Sequence, residues 1–192
     1  MDSPATAFKR ILEVLDRLEI PYFVTGSVAS SVYGIPRTTL DLDLVADLRE
    51  DHIPQFASEL QGDFYADPQM MADALKRGRS FNVIHLGSSY KIDIFPLGRD
   101  EYSRQAFQRR RYAQTAPPGE ETVECALASV EDLILSKLRW YRAGGEVSET
   151  QWRDLRGILM VSGATLDREY LRFWASRLGV ADLIERLLEY PA

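Results

Sequence analysis

Three aspartates are the residues whose spacing best supports chemistry in this chain. Asp41 and Asp43 alternate with leucines, so they share one face of a strand predicted over residues 39–45. Residues i and i+2 of a strand lie roughly 6.5–7 Å apart on one face. Two carboxylates at that spacing, with no Lys or Arg beside them on that strand face, repel each other unless a cation lies between them. The pair therefore predicts a cation site, although a solvated edge strand would also explain it.

The third aspartate, Asp93, interrupts an apolar run at residues 90–95 that is otherwise suited to a buried strand. This run pairs as a hairpin with the strand predicted at residues 81–86. The hairpin is expected to bring Asp93 into the sheet beside the strand that carries Asp41. A solvated edge strand does not account for this third carboxylate, so the three together favour a metal site.

A Gly-Ser pair, Gly26 and Ser27, lies between a predicted strand at residues 22–24 and a predicted helical segment at residues 28–33. Free backbone N–H groups at the start of a helix bind phosphate. Glycine allows the backbone to approach a phosphate closely, because it has no Cβ atom. The pair predicts a phosphate site, and a plain strand-to-helix turn is the alternative.

These motifs resemble those of the nucleotidyltransferase superfamily with a polymerase-beta-like palm. The pattern of that superfamily is a Gly-Ser or Gly-Gly pair, an Asp-x-Asp strand and one more Asp on a later strand. Residues 37–44 (Arg-Thr-Thr-Leu-Asp-Leu-Asp-Leu) are similar to the Arg-x-Thr-x-Asp-x-Asp-Leu form of the AbiEii/AbiGii-type minimal nucleotidyltransferases. The resemblance is strong over residues 22–95 and weaker over residues 130–160.

The resemblance implies magnesium-dependent transfer of an NMP from an NTP, ATP among them, to an acceptor hydroxyl. Two Mg²⁺ ions about 4 Å apart stabilise the attacking and leaving oxygens in such reactions. It implies that Asp41 and Asp43 bridge both ions, and that Asp93 completes one metal shell and accepts the acceptor's proton. Gly26 and Ser27 are expected to hold the beta- and gamma-phosphate oxygens.

Three further residues are candidates for nucleotide binding. Arg37 precedes the Asp-x-Asp strand as a candidate phosphate clamp. Lys137 falls on the apolar face of a helix predicted at residues 129–142, and Asp154 faces inward from the next helix, at residues 149–161. The two charges form either a buried ion pair that fixes helix register or part of the nucleotide site. The resemblance favours the nucleotide site, because a Lys and an Asp on C-terminal helices belong to the active-site motifs of the AbiEii-like proteins.

The acceptor is open from sequence alone. The resemblance favours RNA, chiefly tRNA, modified by the toxin of a toxin–antitoxin pair, with a cognate antitoxin as a partner. An arginine-rich helix predicted at residues 99–111 is either a solvated face or an RNA contact. The alternatives are an aminoglycoside, another small molecule or a protein side chain. A degenerate nucleotide-binding or antitoxin-binding module is a further hypothesis, which the intact set of three aspartates disfavours.

Composition narrows the class of protein. The 192 residues carry a net charge of −6, which argues against a general nucleic-acid coat. The single cysteine, Cys125, excludes an internal disulfide framework, and two distant histidines, His52 and His85, do not suit a zinc site. The first residues do not have the pattern of a signal peptide, and no apolar run approaches 18 residues. We therefore expect a cytoplasmic protein that does not span a membrane.

The predicted fold class is α/β (α+β): a small mixed sheet, the nucleotidyltransferase palm, with helices packed on it and a C-terminal helical bundle. Residues 1–118 are predicted to form the palm with an N-terminal helix. Residues 119–192 are predicted to form a helical region that closes the active-site cleft, after a loop at residues 115–119. In this second region a last strand is predicted at residues 121–126, and two further helices at residues 167–178 and 180–190, with Phe173 and Trp174 in the core.

Overall fold

One mixed sheet of seven strands is present in the computed structural model, which describes residues 3–39, 41–115 and 121–190. The strands are β1 (Tyr22–Thr25), β2 (Asp41–Ala46), β3 (Phe64–Tyr65), β4 (Phe81–His85), β5 (Lys91–Pro96), β6 (Arg111–Thr115) and β7 (Val123–Leu127). Their order across the sheet is β3-β4-β5-β2-β1-β7-β6. β5 runs parallel to β2 and β7 parallel to β1, whereas the other neighbours are antiparallel. The mixed sheet predicted from the sequence is confirmed.

Helices surround this sheet and make up most of the C-terminal part. They are α1 (Pro4–Arg17), α2 (Gly26–Tyr33), α3 (Ile53–Leu60), α4 (Pro68–Lys76), α5 (Glu101–Gln108), α6 (Val130–Ala143), α7 (Glu149–Ser162), α8 (Arg168–Arg177) and α9 (Ala181–Leu188), with short 3₁₀ turns at Glu50–His52 and Gly163–Thr165. Six of these helices begin with a capping residue whose side chain accepts a hydrogen bond from a backbone N–H of the first turn. The capping residues are Ser3, Asp67, Asp100, Ser129, Ser148 and Asp167. No helix within the described residues has the length and hydropathy needed to cross a bilayer.

The two central strands have one apolar and one acidic face. Alternate residues of β2 and β5, Leu42 and Ile92 among them, are fully buried, whereas the aspartates between them are only half-buried. α2 begins where β1 ends, lies against β1 and β2, and also contacts α6 and α7. Helices α2, α6 and α7 are therefore the elements that border the acidic face.

The predicted arginine-rich helix at residues 99–111 is shorter than expected. Helix α5 ends at Gln108, and Arg111 instead begins β6, whose partner is β7. The prediction of helix through Arg111 is wrong because β6 is an edge strand with mostly exposed polar side chains. Such a strand has no apolar alternation by which the sequence could reveal it.

The predicted domain boundary at residue 118 lies in residues 116–120, outside the described residues. Strands β6 and β7 flank that segment and pair with each other, and β7 also pairs with β1. The sheet therefore continues to Leu127, and the helical part begins at Val130. The division of the chain into two domains stays a prediction.

The inner faces predicted for the C-terminal helices need two corrections. Phe173 is 47% exposed, although the sequence predicts it in the core. Trp174 is buried as predicted, and its neighbour Phe173 points about 100° away around the helix, so both cannot face the core. Conversely, Glu131 and Asp132 of α6 are buried. The helical period does not predict this, because it depends on partners from distant segments.

Candidate active site

The register of the sheet brings the three predicted aspartates together. Asp43 lies directly opposite Asp93 on the parallel strand β5, and Asp41 lies opposite Lys91. Because side chains alternate along a strand, these four residues share one face of the sheet. On the other side of β2, Thr25 lies opposite Asp43. The prediction that a hairpin places Asp93 beside the Asp41 strand is confirmed.

Local partners orient two of the three carboxylates. The Thr39 hydroxyl donates to Asp41 Oδ1 at 2.7 Å, and the Tyr90 hydroxyl donates to the Asp41 backbone carbonyl at 3.0 Å. Lys91 Nζ lies 2.7 Å from Asp93 Oδ2. Sequence reasoning missed Lys91, although its position two residues before Asp93 on the same strand puts it on the same face.

Asp43, at the centre of the group, has a strongly perturbed carboxyl. Burial, together with the negative charges of Asp41 and Asp93, raises the pKa of Asp43 to about 6 against the opposing charges of Lys137 and Lys91. The neighbouring carboxylates are thus close enough to destabilise the ionised form of Asp43. A cation bound at this face would relieve that repulsion.

Gly26, the first residue of α2, packs against the same carboxyl. Its φ is +63°, a left-handed conformation that glycine adopts without strain. A Cβ atom built on Gly26 would collide with the Asp43 carboxylate and lie 2.6 Å from its Cγ. Sequence reasoning explained this glycine by the approach of a phosphate. The structure adds a second reason, which is the carboxylate itself.

The other predicted site residues form one hydrogen-bonded cluster between the Gly-Ser turn and helices α6 and α7. The Arg37 guanidinium donates to the Ser27 hydroxyl and to both carboxylate oxygens of Asp154, at 3.0 Å and 3.2 Å. Lys137 Nζ donates to Asp154 Oδ2 at 2.9 Å and to Gln151 Oε1 at 3.2 Å. The inward-facing Lys137 and Asp154 therefore do form an ion pair, and Arg37 extends it to Ser27.

Charge in this cluster is not balanced. Burial lowers the pKa of Lys137, and Asp154 opposes that effect. Burial acts to raise the pKa of Asp154, but hydrogen bonds from Arg37 and the charge of Lys137 outweigh it and hold that pKa below its usual value. One carboxylate thus faces two cations, and the Arg37 side chain is 30% exposed. The excess positive charge is suited to an anion such as a phosphate.

The donor set of the acidic face fits magnesium by its chemistry. Carboxylate oxygens are hard ligands of the class that Mg²⁺ takes, and Asp41, Asp43 and Asp93 are the residues that would hold it. In residues 3–39, 41–115 and 121–190, no three His, Cys, Asp or Glu side chains are close enough together to share one ion. Lys91 pairs with the Asp93 carboxylate. For Asp93 to share a metal ion with Asp43, the Asp93 side chain would therefore have to turn toward Asp43.

No protein-family model matches the chain, and no curated protein matches its sequence. Solved structures do share its fold. The antibiotic-resistance factor ANT(2'')-Ia in solution has a TM-score of 0.55 and 15% identity, over 95% of this chain and 96% of that chain. ANT(2'')-Ia in complex with adenylyl-2''-tobramycin has a TM-score of 0.53 and 14% identity, over 91% and 95%.

An antigenic nucleotidyltransferase-like protein from Paracoccidioides brasiliensis has a TM-score of 0.53 and 17% identity, over 98% of this chain and 94% of that chain. The chain therefore has a nucleotidyltransferase fold along nearly its whole length. At these identities the likeness concerns the fold. The closer resemblance to AbiEii/AbiGii-type proteins stays a prediction.

Proposed function

We propose that this protein is a nucleotidyltransferase that moves an NMP from an NTP to an acceptor hydroxyl, with pyrophosphate as the leaving group. The observation that carries the proposal is the position of Asp43. It lies opposite Asp93, two residues from Asp41 and against Gly26 at the start of α2. The nucleotidyltransferase fold around these residues supports the same reaction.

The acidic face would carry the chemistry. Asp41, Asp43 and Asp93 would hold two Mg²⁺ ions, which when bound stabilise charge on the attacking and leaving oxygens. Asp93 would accept the proton of the acceptor hydroxyl. Lys91 is a positioning residue in this scheme, because its ammonium group holds the Asp93 carboxylate at 2.7 Å.

The Gly-Ser turn and the cationic cluster would hold the triphosphate. The backbone N–H groups of Gly26 and Ser27 lie at the start of α2, where the helix dipole favours an anion. Arg37 and Lys137 supply the positive charge, and Arg37 already contacts the Ser27 hydroxyl. Asp154 would keep the two cations in place and act as a positioning residue.

For the acceptor, we favour RNA, chiefly tRNA, with the protein acting as the toxin of a toxin–antitoxin pair. Two observations support this choice. One is the similarity of residues 37–44 to the AbiEii/AbiGii-type motif. The other is a cleft lined by Arg153, Arg156 and Arg186 on helices α7 and α9.

An aminoglycoside is the second candidate acceptor. The fold matches that of ANT(2'')-Ia along the chain, and that protein has been solved with adenylyl-2''-tobramycin. A cleft of about 510 Å³ between α5 and α8 is acidic and aromatic, as a polycationic sugar requires. Its lining includes Glu101, Asp167, Glu169, Tyr170 and Trp174.

A labelling experiment tests the reaction and separates the acceptors. The purified protein is incubated with Mg²⁺, each of four alpha-³²P NTPs, and either total tRNA or tobramycin. We expect label on tRNA that disappears in the Asp41→Ala/Asp43→Ala variant. Label on tobramycin alone would replace the RNA acceptor with the second candidate. Nucleotide binding without transfer to any acceptor would contradict the proposal and indicate a non-catalytic module.

A further inference from the structure

A second polar cleft, of about 460 Å³, lies between the α6–α7 connection, the first turns of α7 and helix α9. We name it the arginine cleft after Arg153, Arg156 and Arg186, which line it together with Tyr141 and Trp152. It lies apart from the acidic face, and none of its lining residues belongs to the candidate active site. All three arginine residues are exposed.

Two of these guanidinium groups are held on aromatic rings. The Cζ atom of Arg186 lies 4.3 Å from the centroid of the Trp152 ring, and that of Arg156 lies 4.5 Å from the centroid of the Tyr190 ring. Stacking fixes the plane of a guanidinium while its N–H edge stays open to hydrogen-bond acceptors. The arginine cleft therefore presents donor groups that are ordered before any ligand binds.

The positive charge of the cleft is not neutralised within the described residues. None of its three arginines lies within ion-pair distance of a described carboxylate, whereas nearby Arg142 pairs with Glu146 at 2.8 Å and Asp182 at 2.6 Å. Glu146, which also lines the cleft, is thus already paired, and Glu149 is the remaining acidic residue in the wall. The net charge of the cleft is positive in a protein whose total charge is −6.

Trp152 carries an unsatisfied donor behind the cleft wall. Its side chain is buried, at 9% exposure, and its Nε1 atom has no hydrogen-bond partner among the described residues. Buried donors are nearly always paired in folded proteins, so an unpaired one needs an explanation. The Nε1 atom is itself inaccessible to solvent and lies in the plane of the ring whose face Arg186 covers, so a ligand in the cleft does not reach it.

The arginine cleft and the cationic cluster share the α6–α7 pair. Tyr141 follows Lys137 by one turn of α6, and Trp152 follows Gln151, whose Oε1 atom accepts from Lys137. Arg153 and Arg156 point to the opposite side of α7 from Gln151 and Asp154, because successive helical residues are about 100° apart. The cleft is therefore a separate binding surface on the same pair of helices.

The segment that the sequence suggested as an RNA contact is less suited to that role. Arg109 is committed to two buried carboxylates, with Nη2 at 2.7 Å from Glu131 and Nε at 3.4 Å from Asp132. Arg110 stacks on Phe107 and donates to its carbonyl. The uncommitted arginines that converge on one concave surface are those of the arginine cleft.

We infer that the arginine cleft binds the phosphate backbone of an RNA strand. Arginine forks match phosphate oxygens in geometry and charge, and three of them around one cleft suit successive phosphates of a chain. The inference names a binding surface for the acceptor and rests on the proposed function for its catalytic meaning. Binding itself can be measured without any turnover.

The test measures binding of fluorescently labelled tRNA to the inactive Asp41→Ala/Asp43→Ala protein. Adding Arg153→Ala/Arg156→Ala/Arg186→Ala should weaken binding roughly tenfold or more, and should lower the slope of log K against log salt by about two units, since each phosphate contact contributes about 0.7 for single strands. The matched control, Arg77→Ala/Arg79→Ala/Arg168→Ala, removes the same charge from exposed positions outside both the cleft and the arginine-rich segment at residues 99–111. It should change the affinity less than about twofold.

Three results would overturn the inference. They are an equal loss in both triple variants, no binding of tRNA by the parent protein, and inorganic tripolyphosphate binding in the cleft as tightly as tRNA. Thermal unfolding verifies that the variants fold. If the alanine variant does not fold, Arg153→Lys/Arg156→Lys/Arg186→Lys keeps the charge and should still bind tRNA about threefold more weakly, because the guanidinium forks are lost.

The outcome for this inference is separable from that for the proposed function. RNA bound in the cleft without label transfer by the wild-type protein would contradict the transferase proposal alone. Label transfer to tobramycin by a protein that does not bind RNA would contradict the cleft inference and the RNA acceptor, and would leave nucleotidyl transfer itself supported.

Discussion

At the scale of single residues, the contact between Gly26 and Asp43 links the phosphate-binding turn to the acidic face. The backbone of one residue and the carboxyl of the other pack without room for a Cβ atom between them. A change at Gly26 is therefore transmitted to a carboxyl whose pKa is already raised to about 6. The position can be tested without touching an ionisable group.

We expect Gly26→Ala to abolish transfer activity, because the new Cβ displaces the Asp43 carboxylate. Gly78→Ala is the matched control, since Gly78 also has a positive φ, of +60°, but a Cβ atom added there would meet no atom of the described residues within 4 Å. Both variants should lose about 1 kcal/mol of stability from backbone strain. Turnover and urea unfolding are measured on both variants. An active Gly26→Ala variant would contradict the proposed role of the contact between Gly26 and Asp43.

Asp93 allows binding and chemistry to be separated. We expect Asp93→Asn to remove turnover and leave NTP binding within a few-fold of wild type, because Asp41 and Asp43 remain to hold the metal that travels with the triphosphate. Single-turnover kinetics and equilibrium nucleotide binding measure the two effects. Near-normal turnover in Asp93→Asn would show that the metal assignment is wrong.

At the scale of elements, the Lys137–Asp154 pair joins helices α6 and α7 and is almost inaccessible to solvent, at 4% and 9% exposure. Such a pair can stabilise the fold, take part in nucleotide binding, or do both. Removing one partner leaves the other charge buried, whereas replacing both with apolar residues does not. That asymmetry gives a way to separate the two roles.

We expect Asp154→Ala to lower the free energy of unfolding by about 3 kcal/mol, because Lys137 loses its buried carboxylate. The double variant Lys137→Met/Asp154→Leu should recover most of that stability, since Arg37 is partly exposed and can turn to water. It should nevertheless remain inactive. Denaturant unfolding and transfer assays on both variants distinguish the two roles of the pair. An active double variant would show that the pair is only structural.

A second buried ionic cluster, of Arg109 with Glu131 and Asp132, joins the end of α5 to α6. We expect its contribution to stability to depend on pH. Burial raises the pKa of Asp132, although hydrogen bonds from Ser129 and Tyr170 and the charge of Arg109 oppose it. The folded state therefore holds this proton more tightly than the unfolded state, and protonation as pH falls stabilises the fold. Without Arg109 the pKa rises further.

We accordingly expect Arg109→Met to lose about 2–4 kcal/mol of stability at neutral pH, because Glu131 and Asp132 are left buried without it. The deficit relative to wild type should shrink from neutral to mildly acidic pH, as Asp132 takes up a proton. Urea unfolding at neutral and at mildly acidic pH measures it. A deficit that grows on acidification would contradict this interpretation of the cluster.

The sequence was sufficient to predict elements whose pattern is local. Alternation in β2 and β5 indicates which face each aspartate takes, and the hairpin of β4 and β5 brings Asp93 into the sheet. It was not sufficient for contacts set by distant segments. The burial of Asp132 depends on Arg109 and Tyr170, and edge strand β6 exists only through its pairing with β7.

At the scale of the whole molecule, the protein has two clefts of opposite charge on one nucleotidyltransferase fold. The arginine cleft lies between the α6–α7 connection, the first turns of α7 and helix α9, whereas the acidic cleft lies between α5 and α8. Under the proposed function, a polyanionic acceptor and a polycationic acceptor would use different clefts with the same acidic face. The C-terminal helices and α5, rather than the residues proposed for chemistry, would then decide the acceptor.

The most direct measurement of the central claim does not need the acceptor. It is the binding of Mn²⁺, as a paramagnetic substitute for Mg²⁺, with and without a non-hydrolysable NTP analogue, to the wild-type protein and to Asp41→Asn/Asp43→Asn. The account predicts that wild type binds metal and analogue together, each tightening the other, and that the variant loses this coupling. Equal binding by both proteins, or analogue binding that is independent of metal, would contradict it.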